Sequence, residues 1–593
     1  MFGLLLTNRL RNTIAKFGLI GPNQIGFLEE NRTSDHVFVV NTLVNKIVKN
    51  EGKHLYTAFI DLKKAYDSVD RNFLFSKLWA LGLDGPFLNI VKSMYRSVKQ
   101  CVKLGSTLIE PIPTNIGVKQ GCNLSPLLFN LFIEDMKLEF DHDCDQVSLG
   151  DTRLSHLLFA DDLVLFSTSK SGLQRCLDKI DGFCNKWGLN INSRKSNVMI
   201  FNKTGMKPKN LSFTVGGKEL PITNRYKYLG TMFSASGSFT AAMENLSDRA
   251  KKAYFAVRKV LNKVNFEPKV ALKIFDSLIK PIFTYNCEVW TQLNSRQIKM
   301  LSKDDNDTFV YEKFLSVTEK QHLRFCKSIL GVKKSCSNLA VLGDLGRTPI
   351  SLFCLRQSLL FFHRLCSMDN HRLVAKAFNE SIGLQREDKY SWMSSLHCLA
   401  KQVNLELDIG RIRNMKASTF KNVITRKLNN AFNAYWSRAI TATVGRSKKG
   451  SNKLRSYQSF KTRVQMEPYC LLGDRALRRA VAKFRCSDHN LRIETGRREN
   501  ITPDERKCLV CTSSYVENEQ HFLVDCQGYS DIRNEFFTMV QQEVPLFNRM
   551  DSTCKFIYLL SCENSKIGKG LAKYLKKAFE MRTDTLLRST PKK

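Results

Sequence analysis

Residues 157–166 read LLFADDLVLF: two apolar runs of four flank two adjacent acids, Asp161 and Asp162. Short apolar runs split by two residues are the pattern of a β-hairpin with buried strands. Asp161-Asp162 is a poor turn, because the favoured two-residue turns need positive φ and draw Asn-Gly or Asp-Gly. Side-by-side carboxylates also repel, and burial raises their pKa unless something positive sits close. A polar tip on a surface hairpin accounts for one acid better than for two between such apolar strands. A divalent-cation site accounts for both, and it needs a third ligand from elsewhere.

The stretch YTAFIDLKKAYDSVDR, residues 56–71, supplies the candidate. Its start is β-prone and apolar, and Asp61 ends that run. A helical segment follows, with Phe73, Leu74, Leu78 and Leu81 on one side and Gly82 as its stop. Asp67 and Ser68 lie just ahead of it, where capping the helix is their expected task. Asp61 has no such task and is assigned to the metal. Mg²⁺ takes hard oxygen ligands and keeps water and substrate phosphates in its shell. Two such ions about 3.5–4 Å apart can activate an attacking hydroxyl and stabilise a leaving oxygen. The three acids therefore point to in-line nucleotidyl transfer, and taken alone they serve a nuclease equally well.

In TNIGVKQGCNLSPLLFNLFIEDMKLEF, residues 114–140, Ser125 and Pro126 predict a helix start. Leu127, Leu128, Leu131, Phe132 and Met136 form its apolar face. Ahead of it, Gly121 permits close approach of a base or sugar to the backbone. Gln120 can hydrogen-bond a base edge without adding charge. As single residues these also suit a plain loop-to-helix junction.

Taken in order, FIDLKKAYDSV (59–69), GVKQGCNLSPLLFNLFI (117–133) and LLFADDLVLF resemble motifs A, B and C of the reverse transcriptases. The wording is nearest to the non-LTR, or LINE-type, retrotransposon group. GLNINSRKSNVMIF (188–201) resembles motif D, YKYLGTMFS (226–234) motif E, and QIGFLEENRTSDHVF (24–38) the fingers segment. The resemblance covers roughly residues 5–238, and so many motifs in order are specific. It implies that Asp61, Asp161 and Asp162 hold two catalytic Mg²⁺ ions. Tyr66 would be the steric gate against a 2′-OH, the group that separates RNA from DNA; a core aromatic at a helix entry is the competing reading. Gln120 and Gly121 would line the incoming nucleotide and template. Lys195 would protonate the pyrophosphate leaving group, and Arg32 would steady the triphosphate. For those two, solvated surface charge competes. Tyr228, Leu229 and Gly230 would form the primer grip.

The family's Arg-Pro-Ile-containing stretch has no counterpart here, so the expectation is an N-terminally truncated element with incomplete fingers and no endonuclease domain. Residues 1–14 read as an amphipathic helix with Leu6, Leu10 and Ile14 on one face. Residues 242–264 and 270–283 read as helical and suit a thumb. A polar break falls at 302–308, and 445–455 reads as a basic linker that can also serve nuclear targeting.

The segment 507–526, KCLVCTSSYVENEQHFLVDC, spaces Cys508, Cys511, His521 and Cys526 as C-x2-C-x9-H-x4-C. Three thiolates and an imidazole close a tetrahedral shell, which is the pattern of structural zinc, with free buried cysteines as the alternative. The LINE-type resemblance implies a zinc knuckle at this place. Residues 475–499 are basic with a few apolar anchors, and suit an RNA or DNA surface. There His489 is expected to stack or be solvated.

The bulk agrees. A chain of 593 residues with 92 Lys plus Arg against 55 Asp plus Glu carries +37, spread along its length, which favours a polyanion partner, nucleic acid first and an anionic membrane second. No apolar run reaches the ~18 residues of a membrane span. Eighteen Cys without a dense framework suggest reduced thiols inside a cell, in nucleus or cytoplasm, rather than a secreted chain.

The expectation is an α+β right-hand polymerase fold. Residues 1–238 are partial fingers and palm with an antiparallel sheet. Residues 239–300 are a helical thumb, 301–470 a mostly helical connecting region, and 471–593 a basic region with the knuckle at 508–526. The implied activity is RNA-directed DNA polymerase, with RNA template, DNA primer or target and dNTPs as partners, two Mg²⁺ and one Zn²⁺. The alternative is a catalytically impaired relic that binds RNA or DNA without synthesis.

Overall fold

Four antiparallel strands carry the region that matters, in the order Asn197–Phe201, Leu55–Ile60, Asp162–Ser167, His156–Phe159. The computed structural model of the chain describes residues 2–140, 144–303, 316–441, 453–511 and 513–589. The register explains why both strands of the hairpin are apolar throughout. Side chains alternate faces along a strand, and here both faces are covered. Leu157, Val164 and Phe166 join Phe59 and Met199 in one core. Leu158, Leu163 and Leu165 join Ala58, Ile60 and Ile200 in another. A sheet covered on both sides reads as a continuous hydrophobic run rather than an alternating one.

Helices Ser125–Ile133 and Lys170–Trp187 cover one face. The expected apolar residues Leu127, Leu128, Leu131, Phe132 and Met136 are all buried there. Helix Phe2–Phe17 buries Leu6, Leu10 and Ile14 into the same core, with Thr7 beside them. Helix Thr33–Leu43 covers the other face and is buried almost all round, because a second layer of helices lies behind it. Phe38 meets Phe361 and Trp392 edge-on, with centroids at 5.4 and 5.2 Å. Arg364 grips Asp35 with two hydrogen bonds of 2.6 and 2.8 Å. The helical stretch expected only to connect is thus built into the wall behind the sheet.

Beyond the sheet, helix Thr240–Lys263 and the turns Pro268–Ile274, Phe275–Ile279 and Lys280–Phe283 follow the helical expectation for 242–283. The polar break at 302–308 lies mostly, and the basic linker at 445–455 mostly, outside the described residues.

Two local expectations are corrected. Helix Arg71–Ala80 is capped by Asp70, whose carboxylate accepts from Asn72 N and Phe73 N at 2.7 and 3.3 Å. Asp67 and Ser68 stand too far ahead of the first turn to reach those amides; Asp67 takes a hydrogen bond from Gln120 instead. Phe73 is 41% exposed and only Leu74 and Leu78 are fully buried, because the helix presents a narrow stripe to its neighbours. Gly82 does end the helix, at φ +74°.

Candidate active site and a Cys/His centre

The hairpin turn lies one residue earlier than the two acids suggest. Phe159 pairs with Asp162, so Ala160 and Asp161 form the turn and Asp162 starts the return strand. Ala160 takes φ +55°, which lets the two-residue connection match the strand twist without a glycine. Ile60 pairs with Leu163, so Asp61, one step beyond, lies across from Asp162 at the same sheet edge. The three predicted acids therefore converge.

Their electrostatics follow from that convergence. Asp162 opens onto the cleft, yet desolvation, then Asp161, then Asp61, pushes it up to about 6. Asp161 is also raised, by burial first and with Asp61 contributing. Among the described residues, no basic side chain figures among the causes of either shift. A cluster of repelling, un-neutralised hard oxygens fits divalent cations of the Mg²⁺ kind.

Asp61 is itself held by the turn after motif D. Asn192 donates to its Oδ2 at 2.9 Å, its backbone N–H donates to Ser196 Oγ at 3.0 Å, and its carbonyl accepts from Asn192 N at 2.8 Å. Lys195 is exposed in that same turn, its N–H bonded to Asn192 O. Asn192 and Ser196 are contributors that their types alone did not announce.

Tyr66 stacks on Phe129 with centroids 4.7 Å apart, and its buried hydroxyl lacks a hydrogen-bond partner among the described residues. Burial, then the Asp161 charge, raises its pKa, so the ring stands beside the acids. It lines a cavity of about 610 Å³ with Gln120, Gly121, Phe27, Arg11 and Lys119. Gly121 sits at φ +80° with open space where a Cβ would be, so backbone conformation alone calls for glycine. Arg32 is not among the lining residues. It is exposed at the start of helix Thr33–Leu43, its N–H bonded to Asp35, and its charge acts on Glu288.

The hairpin Arg225–Tyr228 and Thr231–Ser234 closes the other side. Tyr226 stacks on Phe59 at 4.2 Å; burial, then Asp162 and Asp61, pushes it up to about 12. At the turn, Leu229 and Gly230 have φ +43° and +80°. A Cβ on Gly230 would lie 2.6 Å from the Tyr285 ring. Tyr285 donates to Leu229 O at 3.2 Å, and Asn286 donates to Thr231 Oγ1 at 3.0 Å.

The predicted fingers segment reaches the acid hairpin directly. Gln24 forms a parallel bridge with Leu158; Ile25 N donates to Leu158 O and Leu158 N to Asn23 O. Gln24 and Gly26 open the fingers-like segment 24–38, but nothing local in the sequence reveals this contact.

A second cluster stands apart near the C-terminus. Cys508, Cys511, His521 and Cys526 bring their ligand atoms within 4.8 Å of one another. The Cys508–Cys526 sulfurs are 3.8 Å apart, and Cys511 Sγ lies 3.4 Å from His521 Nε2. A tetrahedron with Zn–S about 2.3 Å and Zn–N about 2.0 Å has edges of roughly 3.8 and 3.5 Å. Val510 N donates to Cys508 Sγ at 3.5 Å. The bond from Cys526 holds Cys508 down at about 3, so a sulfur in this group favours the thiolate that a metal needs.

The basic stretch 475–499 divides its charges. Arg479 and Lys483 are exposed on helix Arg475–Arg485. Arg478 caps carbonyls of Leu472, Gly473 and Phe266. Arg485 is buried on Asp344 and Glu467. His489 is buried rather than solvated: it stacks on Phe579 and bonds Glu519 at 2.9 Å. Burial without partners would be costly for such groups, so each is paired.

With this geometry in hand, the likeness to known proteins is specific. Residues 4–233 match the family model for reverse transcriptase (RNA-dependent DNA polymerase). The Pol polyprotein from type-1 retrotransposable element R2 of Nasonia vitripennis is 29% identical, over 38% of this chain and 23% of that protein. The one from type-2 retrotransposable element R2DM of Drosophila melanogaster is 33% identical, over 36% and 21%. The RNA-directed DNA polymerase from mobile element jockey of Drosophila funebris is 26% identical, over 51% and 34%. The chain thus spans about a fifth to a third of the length of these relatives. A telomerase structure from Candida albicans aligns over 63% of this chain and 58% of that one, at 15% identity; its TM-score of 0.27 carries no argument. No described helix is long and apolar enough to cross a membrane.

Proposed function

We propose, from a segment at residues 4–233 that belongs to the reverse transcriptase family, that the chain is the RNA-directed DNA polymerase of a non-LTR retrotransposon. The convergence of Asp61, Asp161 and Asp162 at one sheet edge is the observation that carries this reading. In the reaction, the primer 3′-OH attacks the α-phosphate of a dNTP and pyrophosphate leaves. Asp61, Asp161 and Asp162 would hold two Mg²⁺ ions, which supply charge neutralisation and an activated hydroxyl when bound.

The chain's other side chains orient and exclude. Tyr66, flat on Phe129 beside Asp161, would set the floor under the sugar and collide with a 2′-OH. Gln120 and Gly121 would line the nucleotide and template in the cavity they share with Tyr66. Lys195, exposed in the turn that anchors Asp61, would deliver a proton to the departing pyrophosphate. Arg32 would have to steady the triphosphate from outside that cavity, where Arg11 and Lys119 already stand. Tyr228, Leu229 and Gly230 would grip the primer by shape and backbone.

Residues 239–300 would follow the primer–template duplex as the thumb. Cys508, Cys511, His521 and Cys526 would hold one structural Zn²⁺, and the exposed Arg479 and Lys483 would contact RNA or DNA phosphates. By family likeness the template is the element's own RNA and the primer a nick in chromosomal DNA.

Primer extension on poly(rA)/oligo(dT) tests the reading. Mg²⁺-dependent dTTP incorporation that vanishes in Asp161→Asn and Asp162→Asn is expected. Tight binding of the duplex without incorporation would overturn it in favour of a nucleic-acid-binding relic.

A further inference from the structure

A polymerase of this kind needs its two hairpin acids at fixed places, and the turn that carries them is strained. Ala160 stands at φ +55°, a region that a side chain with a Cβ avoids. Such a conformation persists only where its surroundings over-determine it. We propose that Gln24 is a positioning residue for Asp161 and Asp162, and that Asn130 ties it to the helix behind the nucleotide cavity. The proposal rests on the polymerase reading above.

One carboxamide satisfies both backbone groups of the strained residue. Gln24 Oε1 accepts from Ala160 N at 2.9 Å, and Nε2 donates to Ala160 O at 3.2 Å. The same Oε1 accepts from Gly26 N at 2.9 Å. Gln24 is 1% exposed, so water does not substitute for these bonds. Gly26 then lies directly on the turn: a Cβ there would stand 2.3 Å from Ala160 N and 3.0 Å from the Phe159 carbonyl carbon. Asn130, fully buried on helix Ser125–Ile133, donates to Gly26 O at 2.6 Å. The path from the helix that follows Gln120 and Gly121 to Asp161 is therefore Asn130, Gly26, Gln24, Ala160.

Nothing in that path titrates, so it moves no proton, and Gln24 Oε1 is already taken by Ala160 N and Gly26 N. What it supplies is position. Gln24→Met would keep the volume and leave the Ala160 and Gly26 groups unpaired. Gln24→Glu would keep the acceptor and lose the donor to Ala160 O. Gly26→Ala would push the segment off the turn.

Two measurements on the full chain separate this from the polymerase reading. Hydrogen exchange over residues 157–166 needs no synthesis; Gln24→Met and Gly26→Ala should each speed exchange at the hairpin tip about tenfold, with residues 507–526 unchanged. In primer extension, the Mg²⁺ concentration for half-maximal incorporation should rise about fivefold or more and kcat should fall, at an unchanged dissociation constant for poly(rA)/oligo(dT). A general folding defect would move the duplex affinity as well. Unchanged tip exchange in a folded Gln24→Met or Gly26→Ala chain overturns the proposal, whether or not the wild type extends primers. Should Gln24→Met not fold, Gln24→Glu and Gly26→Ala carry the test with the same expected directions. Faster tip exchange in a chain whose wild type extends nothing would sink the polymerase reading and leave the clamp standing.

Discussion

The acid cluster and the Cys/His cluster gather potential metal-ligating side chains in opposite ways. The sulfurs and imidazole are already gathered within 4.8 Å of one another, two of their separations match tetrahedral edges, and one thiol is held low. The acids are pushed upward by one another, open to a cleft and short of ligands. On the proposed reading, the first arrangement would support folding, and the second stores repulsion that bound cations would relieve.

The largest effect should come from the closed site. Cys508→Ser with Cys511→Ser should remove one equivalent of zinc per chain, measured by metal analysis after dialysis, and loosen residues 507–589. Structural zinc supplies apparent binding energies of about 10–16 kcal/mol in small knuckles. Mg²⁺ dependence of any extension should survive. Retained stoichiometric zinc would break the comparison at its first half.

Next comes the open site. Asp161→Asn should lower incorporation by about a thousandfold or more, since a two-ion clamp loses a ligand, while zinc content stays at one. A chain that loses both activities together would show that the two clusters are one structural unit.

A smaller loss is expected at the frame of the open site. Gly230→Ala forces an L side chain to φ +80° against the Tyr285 ring and should cost about 1–3 kcal/mol of local strain. Primer affinity, read by fluorescence anisotropy, should fall while zinc and dNTP KM hold.

The smallest effect is the most discriminating. Asp162 is raised from 3.8 to about 6 in the folded, metal-free chain. Between those values the folded state keeps a proton that the unfolded state has released. Stability is therefore greatest at low pH and is lost as pH rises through about 6. Asp162→Asn should abolish extension yet stabilise the EDTA-treated protein at pH 7.5 by on the order of 1 kcal/mol, a discount from about 3 because the group is exposed. The gain should vanish near pH 4. Denaturant titration at the two pH values decides it; destabilisation at pH 7.5 would mean that the site is not strained when empty.

Much of this was legible in residue order. Continuous apolar runs located the hairpin and central strand, and cysteine spacing located the candidate ligand set. What escaped has one physical cause: contacts distant in sequence carry no local mark. The turn fell at Ala160–Asp161 rather than Asp161–Asp162, because Gln24, 136 residues earlier, holds Ala160 in a conformation that its own type disfavours. Asp70 took the cap expected of Asp67 and Ser68, since helix start depends on backbone dihedrals as much as on composition. Arg478 and Arg485 read as surface charge and are internal, because their acidic and carbonyl partners come from other elements, whereas His489 stacks, one of the two outcomes expected of it. Arg32 joined the nucleotide site only by likeness to a motif.

The aromatic seam between Phe38, Phe361 and Trp392 has a consequence for dissection of the protein. A fragment ending near residue 300 would bare Val37 and Phe38 and leave the nearly buried Asp35 without Arg364. Exposed patches of that kind aggregate, and an orphaned buried charge is strongly destabilising. A minimal fragment for testing synthesis should therefore be cut no earlier than residue 441, and changes along helix Thr33–Leu43 should be matched by changes some three hundred residues downstream. The sheet with its acid hairpin and the helices behind it fold as one piece.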